Sequence, residues 1–332
     1  MKASTFVLLL VFVVAAGAAA AYFAWRPRSA SLPLLITPTP SRAAPRVTAT
    51  PPALPPPVSS AGGRRFVGVM GATSADFPFI KSWGADTVEY HNAASSSDLQ
   101  SVFNAAKASS LNIFFKGPSR ERIQGSSYKL DLSRVTAETR RYFDGTTVPG
   151  DPALVGFWIV DEPCHDNKWE LTGSDLRDLY NTVKAVNTGI PVLINFGTLE
   201  CFQNIIATAQ PGWKLVDVAT FTITIKKTGQ RRVDYIADQA KIAQSAKDFD
   251  PAIIVLPNIA VLEFIEVGAA IPTADWVRSN GLRVLSYPSF NGLMFYSYRS
   301  LAPWMGQTII NVKDDPDYSA AFKDVFAAAH QP

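Results

Sequence analysis

Ala153-Leu-Val-Gly-Phe-Trp-Ile-Val-Asp-Glu-Pro163 is a run of eight apolar or glycine residues that ends in two carboxylates and a proline. So short a run, rich in β-branched and aromatic residues, reads as a strand covered on both faces. Burying two unpaired carboxylates is expensive, which puts Asp161 and Glu162 at an open strand end. Like charges there raise one carboxyl's pKa, as a proton-donating acid at neutral pH requires. The plainer alternative is that the pair caps the next helix or meets arginine side chains.

Outward from this segment, short strand-like runs alternate with helical ones. The strands are expected at 66–70, 87–90, 112–116, 154–160, 191–195, 216–222, 252–256 and 293–298. Between them the pattern predicts helices at 76–83, 97–109, 133–143, 174–187, 202–208, 233–247 and 272–285, with a last one at 318–328. Ser97-Asp98 and Thr172-Gly173-Ser174 are the expected N-caps. Eight strand–helix units over residues 64–332 predict an α/β fold, a (β/α)8 TIM barrel. An open doubly wound sheet would want fewer strands and a glycine-rich phosphate loop. The first turn reads Val69-Met-Gly-Ala-Thr-Ser74 instead. In a barrel the chemistry gathers at the C-terminal strand ends.

Gly156-Phe-Trp-Ile-Val-Asp-Glu-Pro163 resembles the fourth-strand motif of glycoside hydrolase barrels, above all the clan whose pattern is Asn-Glu-Pro. Gly292-Leu-Met-Phe-Tyr-Ser-Tyr-Arg299 resembles the eighth strand of the same barrels. The resemblance covers about residues 66–332 and identifies no single family. It implies that Glu162 is the general acid/base. Asp161 stands where the clan usually has an asparagine that contacts the sugar, which is a departure. The clan's nucleophile ends strand seven, and the nearest carboxylates there are Glu263 and Glu266. Glu263 is the candidate if the strand runs on through Leu262. Hexosaminidase-like barrels suggest a second scheme, in which Asp161 orients the substrate's own acetamido group and Glu162 is the acid. A third reading is a barrel that binds glycans, or scaffolds a cell envelope, without cutting them.

Other strand ends suit a sugar site. His91, Lys116 and Asn195 end or follow strands two, three and five, and Tyr296, Tyr298 and Trp304 lie on or after strand eight. Sugar rings stack on aromatic faces, and their hydroxyls pair with such polar groups. Cys164 and Cys201 follow neighbouring strands, so an oxidising compartment would allow a disulfide between them. Free thiols, or a metal site with His165, are the alternatives. No nucleotide, zinc-protease or calcium-loop pattern appears, and neither cofactor nor metal is expected.

The amino terminus is different in kind. Residues 5–25 carry no charge and are long enough, at about 1.5 Å per residue, to cross a bilayer core. Residues 1–26 read either as a signal peptide or as a membrane anchor. Spanning length and the aromatic flank Tyr22, Phe23 and Trp25 favour the anchor. Residues 27–63 form a linker with ten prolines between 27 and 57, a polyproline II spacer. Both readings place the barrel outside the cytoplasm. Residues 1–62 hold five basic residues and no acidic one. The remaining 26 of the 31 basic residues therefore meet all 28 acidic ones in the body. That balance argues against a nucleic-acid partner. The expectation is an exported, secreted or membrane-tethered barrel whose partner is a polysaccharide or other glycan and whose reaction is hydrolysis of O-glycosidic bonds.

Overall fold

The structure is a computed structural model that describes residues 66–331, apart from 92, 127, 165–168, 224, 227–234, 262–268 and 297–311. Eight parallel strands close a barrel: β1 (Phe66–Met70), β2 (Thr87–Tyr90), β3 (Asn112–Lys116), β4 (Leu154–Asp161), β5 (Val192–Asn195), β6 (Val218–Ile223), β7 (Ile254–Ala260) and β8 (Gly292–Tyr296). Each pairs with its sequence neighbours, and β8 returns to β1 through the register Phe66↔Gly292 to Val69↔Phe295. The expected α/β barrel is therefore present.

Helices follow the strands: α1 (Phe77–Ser82), α2 (Ser96–Ala108), α3 (Leu132–Phe143), α4 (Gly173–Val186), α5 (Leu199–Ile206), α6 (Tyr235–Phe249), α7 (Ala274–Leu285) and α8 (Pro316–Ala329). Their starts are written locally. The Thr172 hydroxyl accepts from Asp175 N–H, and the Asp175 carboxylate reaches back to Thr172, a capping box. For α2 the cap is Ser95 and not the expected Ser97, because Ser95 Oγ accepts from Asp98 N–H. Thr198 caps α5 and Thr273 caps α7 in the same way.

Apolar side chains fall into two cores, as a closed sheet demands. The barrel interior holds Phe66, Met70, Phe114, Val155, Trp158, Leu193, Val218, Leu256 and Met294. The outer core lies between strands and helices, where Phe295 stacks on Phe322 of α8 with ring centres 4.0 Å apart.

Two departures from expectation bear on the strand ends. β7 begins and ends later than predicted, running through Pro257-Asn258 to Ala260, and Val261 N–H still donates to Tyr296 O at 2.5 Å. β4 carries an extra residue against β5: Trp158 pairs with Leu193 and Val160 with Ile194. Such a bulge changes side-chain parity. Trp158 packs in the interior core, whereas Ile159 and Val160 both pack in the outer one. Asp161 is thereby turned to the same face as its partner Asn195.

No helix among the described residues is long and apolar enough to cross a membrane. The expected span, residues 5–25, and the proline-rich linker lie outside the described residues.

Candidate active site

The bulge in β4 brings a chain of polar groups to the C-terminal mouth of the barrel. Asn195 Nδ2 donates to Asp161 Oδ1 at 2.7 Å, and Asn195 Oδ1 accepts from Thr220 Oγ1 of β6 at 3.2 Å. Gly197 N–H adds a longer bond to the same Asn195 oxygen, 3.4 Å. These donors fix which way the amide faces, with its NH2 toward the carboxylate. Asn195 is buried, so it stands behind Asp161 as its support. The Asp161 side chain keeps 45% of its surface exposed, open to a ligand.

Glu162 follows in a left-handed backbone conformation, φ 51°, and its N–H donates to Asn195 O at 2.7 Å. A non-glycine residue held there is uncommon and costs energy, which the neighbouring structure must repay. The β5–α5 loop makes room for it with Gly197, φ +68°. Just beyond Glu162, Cys164 is joined to Cys201 in α5 by a disulfide, with Cα atoms 5.7 Å apart. The loops after β4 and β5 are thus covalently tied beside the carboxylate pair.

Lys116 Nζ lies 4.4 Å from the centre of the Trp158 ring and 3.9 Å from Asp161. Across the mouth, His91 meets Trp158 edge-on, ring centres 6.2 Å apart. Tyr296, at the end of β8, is largely buried. That burial, reinforced by the negative charges of Glu89 and Asp161, pushes its phenol up to about 12. At neutral pH it is a hydrogen-bond donor.

Of the residues singled out in the sequence, Asp161, Glu162, His91, Lys116, Asn195 and Tyr296 all lie at this end of the barrel. Glu263, Tyr298 and Trp304 lie outside the described residues. Two participants are new. Trp158 forms the apolar floor between Lys116 and His91. Glu89 is buried at the end of β2, where it accepts from Gly71 N–H at 3.0 Å and touches His91 Nε2 at 2.5 Å. Its signal is present in Thr87-Val-Glu-Tyr-His91, since a two-residue spacing puts Glu89 and His91 on one face of an extended chain.

The arrangement offers two adjacent carboxyl groups, a half-buried lysine, an aromatic floor and a phenolic donor. These are the parts that sugar recognition and acid–base chemistry use. No protein-family model matches the sequence, and no curated protein matches it. Solved structures do share its fold. GH5_18 from Streptomyces cattleya in complex with GlcNAc aligns with TM-score 0.57 at 14% identity over 82% of each chain. The endo-beta-1,4-mannanase from Thermotoga petrophila aligns with TM-score 0.52 at 11% identity, over 81% of this chain and 78% of that one. An FMN-binding beta-glucuronidase from Facaelibacterium prausnitzii L2-6 gives 0.54 at 14% identity over 80% of this chain. The alignment spans only 44% of that longer protein. At such identities the likeness is one of fold: the chain has the eight-stranded barrel that these glycoside hydrolases share.

Proposed function

We propose that this chain is an exported hydrolase that cleaves O-glycosidic bonds of a polysaccharide. The observation that carries the reading is the Asp161–Glu162 pair at the C-terminal end of β4. One carboxylate is braced by Asn195, and the other sits in a strained backbone against Gly197. Strain retained at a strand end of a barrel fits a functional position better than a structural one.

In this proposal Glu162 is the general acid/base. It gives its proton to the glycosidic oxygen as the C–O bond breaks and, where the reaction retains configuration, then takes one from the incoming water. Glu263 is the second carboxylate, either attacking the anomeric carbon or activating water. A carboxyl separation of about 5–5.5 Å would give retention, and about 6.5–9.5 Å inversion. On an N-acetylated sugar, Asp161 would instead orient the acetamido group as the nucleophile. Lys116, His91, Trp158 and Tyr296, with Tyr298 and Trp304, form the sugar platform. Residues 5–25 would deliver or tether the enzyme, and the proline-rich stretch would hold it away from the membrane.

The test is a hydrolysis screen of the full chain on plant, fungal and bacterial polysaccharides, with Glu162→Gln in parallel. Sugar released by the wild type and not by the variant supports the proposal. Equal binding of one polysaccharide by both proteins, with no release, would make the chain a glycan-binding barrel.

A further inference from the structure

Glu89 is the most deeply buried carboxylate near the mouth, 1% exposed, and its position raises the question of what holds it there. Its Oε2 is accounted for by Gly71 N–H. Its Oε1 and His91 Nε2 are both buried, touch at 2.5 Å without hydrogen-bond alignment, and have no hydrogen-bond partner among the described residues. A buried carboxylate oxygen left in that state is costly. Two bare acceptors so close would repel, so one of the two atoms carries a proton. The His91 side chain keeps 14% of its surface open, and its ring is wedged edge-on against Trp158.

From this geometry we infer that Glu89 is a positioning residue. It holds the proton of His91 on Nε2 and fixes the ring at the rim of the site, presenting the remaining ring nitrogen to a sugar hydroxyl. Glu89 is too enclosed to meet a glycan itself; it acts through the histidine. The inference deepens the glycan reading above and rests on it for the ligand. The Glu89–His91 linkage itself does not. Hydrogen bonds of this kind tighten when a ligand closes on the site, and a carboxylate behind a ring nitrogen is a general means of selecting the tautomer.

Two experiments on the full chain separate the linkage from the glycan reading. The first is 15N NMR of the histidine rings, practicable because the chain has three histidines, His91, His165 and His330. The His91 signal, assigned by its loss in His91→Gln, is expected to show the proton on Nε2 in the wild type and in Glu89→Gln, whose amide oxygen still accepts. In Glu89→Met it is expected to show a mixture of tautomers. The same spectrum in Glu89→Met and wild type overturns the inference. The second is affinity for chitohexaose, mannohexaose and cellohexaose. For the probe that binds, Glu89→Met and His91→Gln are each expected to weaken binding about tenfold, the loss of one hydrogen bond. The double variant is expected to bind no worse than either single one. Independent, multiplying losses overturn the positioning role. If no probe binds the wild type, the glycan reading loses its support and the NMR result alone decides the linkage.

Discussion

Gly197 makes the room in which Glu162 lies: a Cβ added at that glycine would stand 3.2 Å from Glu162 Cγ and 3.4 Å from Oε1. The two residues come from loops after neighbouring strands, and both have positive φ. Gly197→Ala therefore imposes a left-handed alanine and a contact on the proposed acid at once. Denaturant titration is expected to show a loss of about 1–3 kcal/mol. Glycan turnover should fall further than the folded fraction does. Unchanged stability and turnover would mean that the loop shifts freely and Glu162 is not held from this side.

Replacing Asn195 with aspartate would face Asp161 with a carboxylate where an amide now donates at 2.7 Å. Two carboxylates so close cannot both ionise cheaply, and the pair retains a proton above the usual carboxylate range. Its native form then binds more protons than its unfolded form, so stability falls as pH rises above about 4. Asn195→Asp is expected to be near wild-type stability at pH 4 and clearly less stable at pH 7, measured by melting temperature across that range. A pH-independent difference would place Asp161 farther from Asn195 than the barrel register puts it.

The Tyr296 phenol is pushed up to about 12 by burial and by Glu89 and Asp161. Unfolded, it ionises near 10. The folded form therefore keeps its proton through that interval, and the stability it contributes below pH 10 is lost as pH rises toward 12. The difference in tyrosinate absorbance between wild type and Tyr296→Phe is expected to titrate near 12. Titration of that difference near 10 would show the ring to be solvated.

The Cys164–Cys201 disulfide closes a loop with a sequence separation of 37 residues. Chain entropy alone assigns such a loop about 3–4 kcal/mol. The double variant Cys164→Ser/Cys201→Ser should lose stability of that order in denaturant titration. Because Cys164 lies two residues beyond Glu162, turnover should also drop under conditions where the variant remains folded. Full turnover in the folded variant would confine the bridge to stability.

Much of the fold is legible without coordinates. Strand-length apolar runs such as Asn112–Lys116 alternate with capped helices such as the one opened by Thr172, and both signals are local. The candidate acid pair was legible for the same reason: two adjacent carboxylates at the end of an apolar run stand out wherever the chain folds. The Ser97 cap was misplaced because Ser95, Ser96 and Ser97 present the same hydroxyl chemistry, and only backbone geometry chooses among them.

The sequence by itself determined the alternation of strand and helix, hence a parallel sheet, and the strand ends where polar side chains collect. Hydrophobic periodicity and turn chemistry act over a few residues, and a chain carries them wherever it goes. Tertiary structure decided the working contacts: Asn195 behind Asp161, Gly197 beside Glu162 and Glu89 against His91. It also decided that one extra residue in β4 turns Asp161, and not Val160, toward the mouth. A two-residue period counted from the inward Trp158 gives the opposite parity. These relations depend on register between strands distant in sequence and on closure of the sheet, which no stretch of chain contains alone.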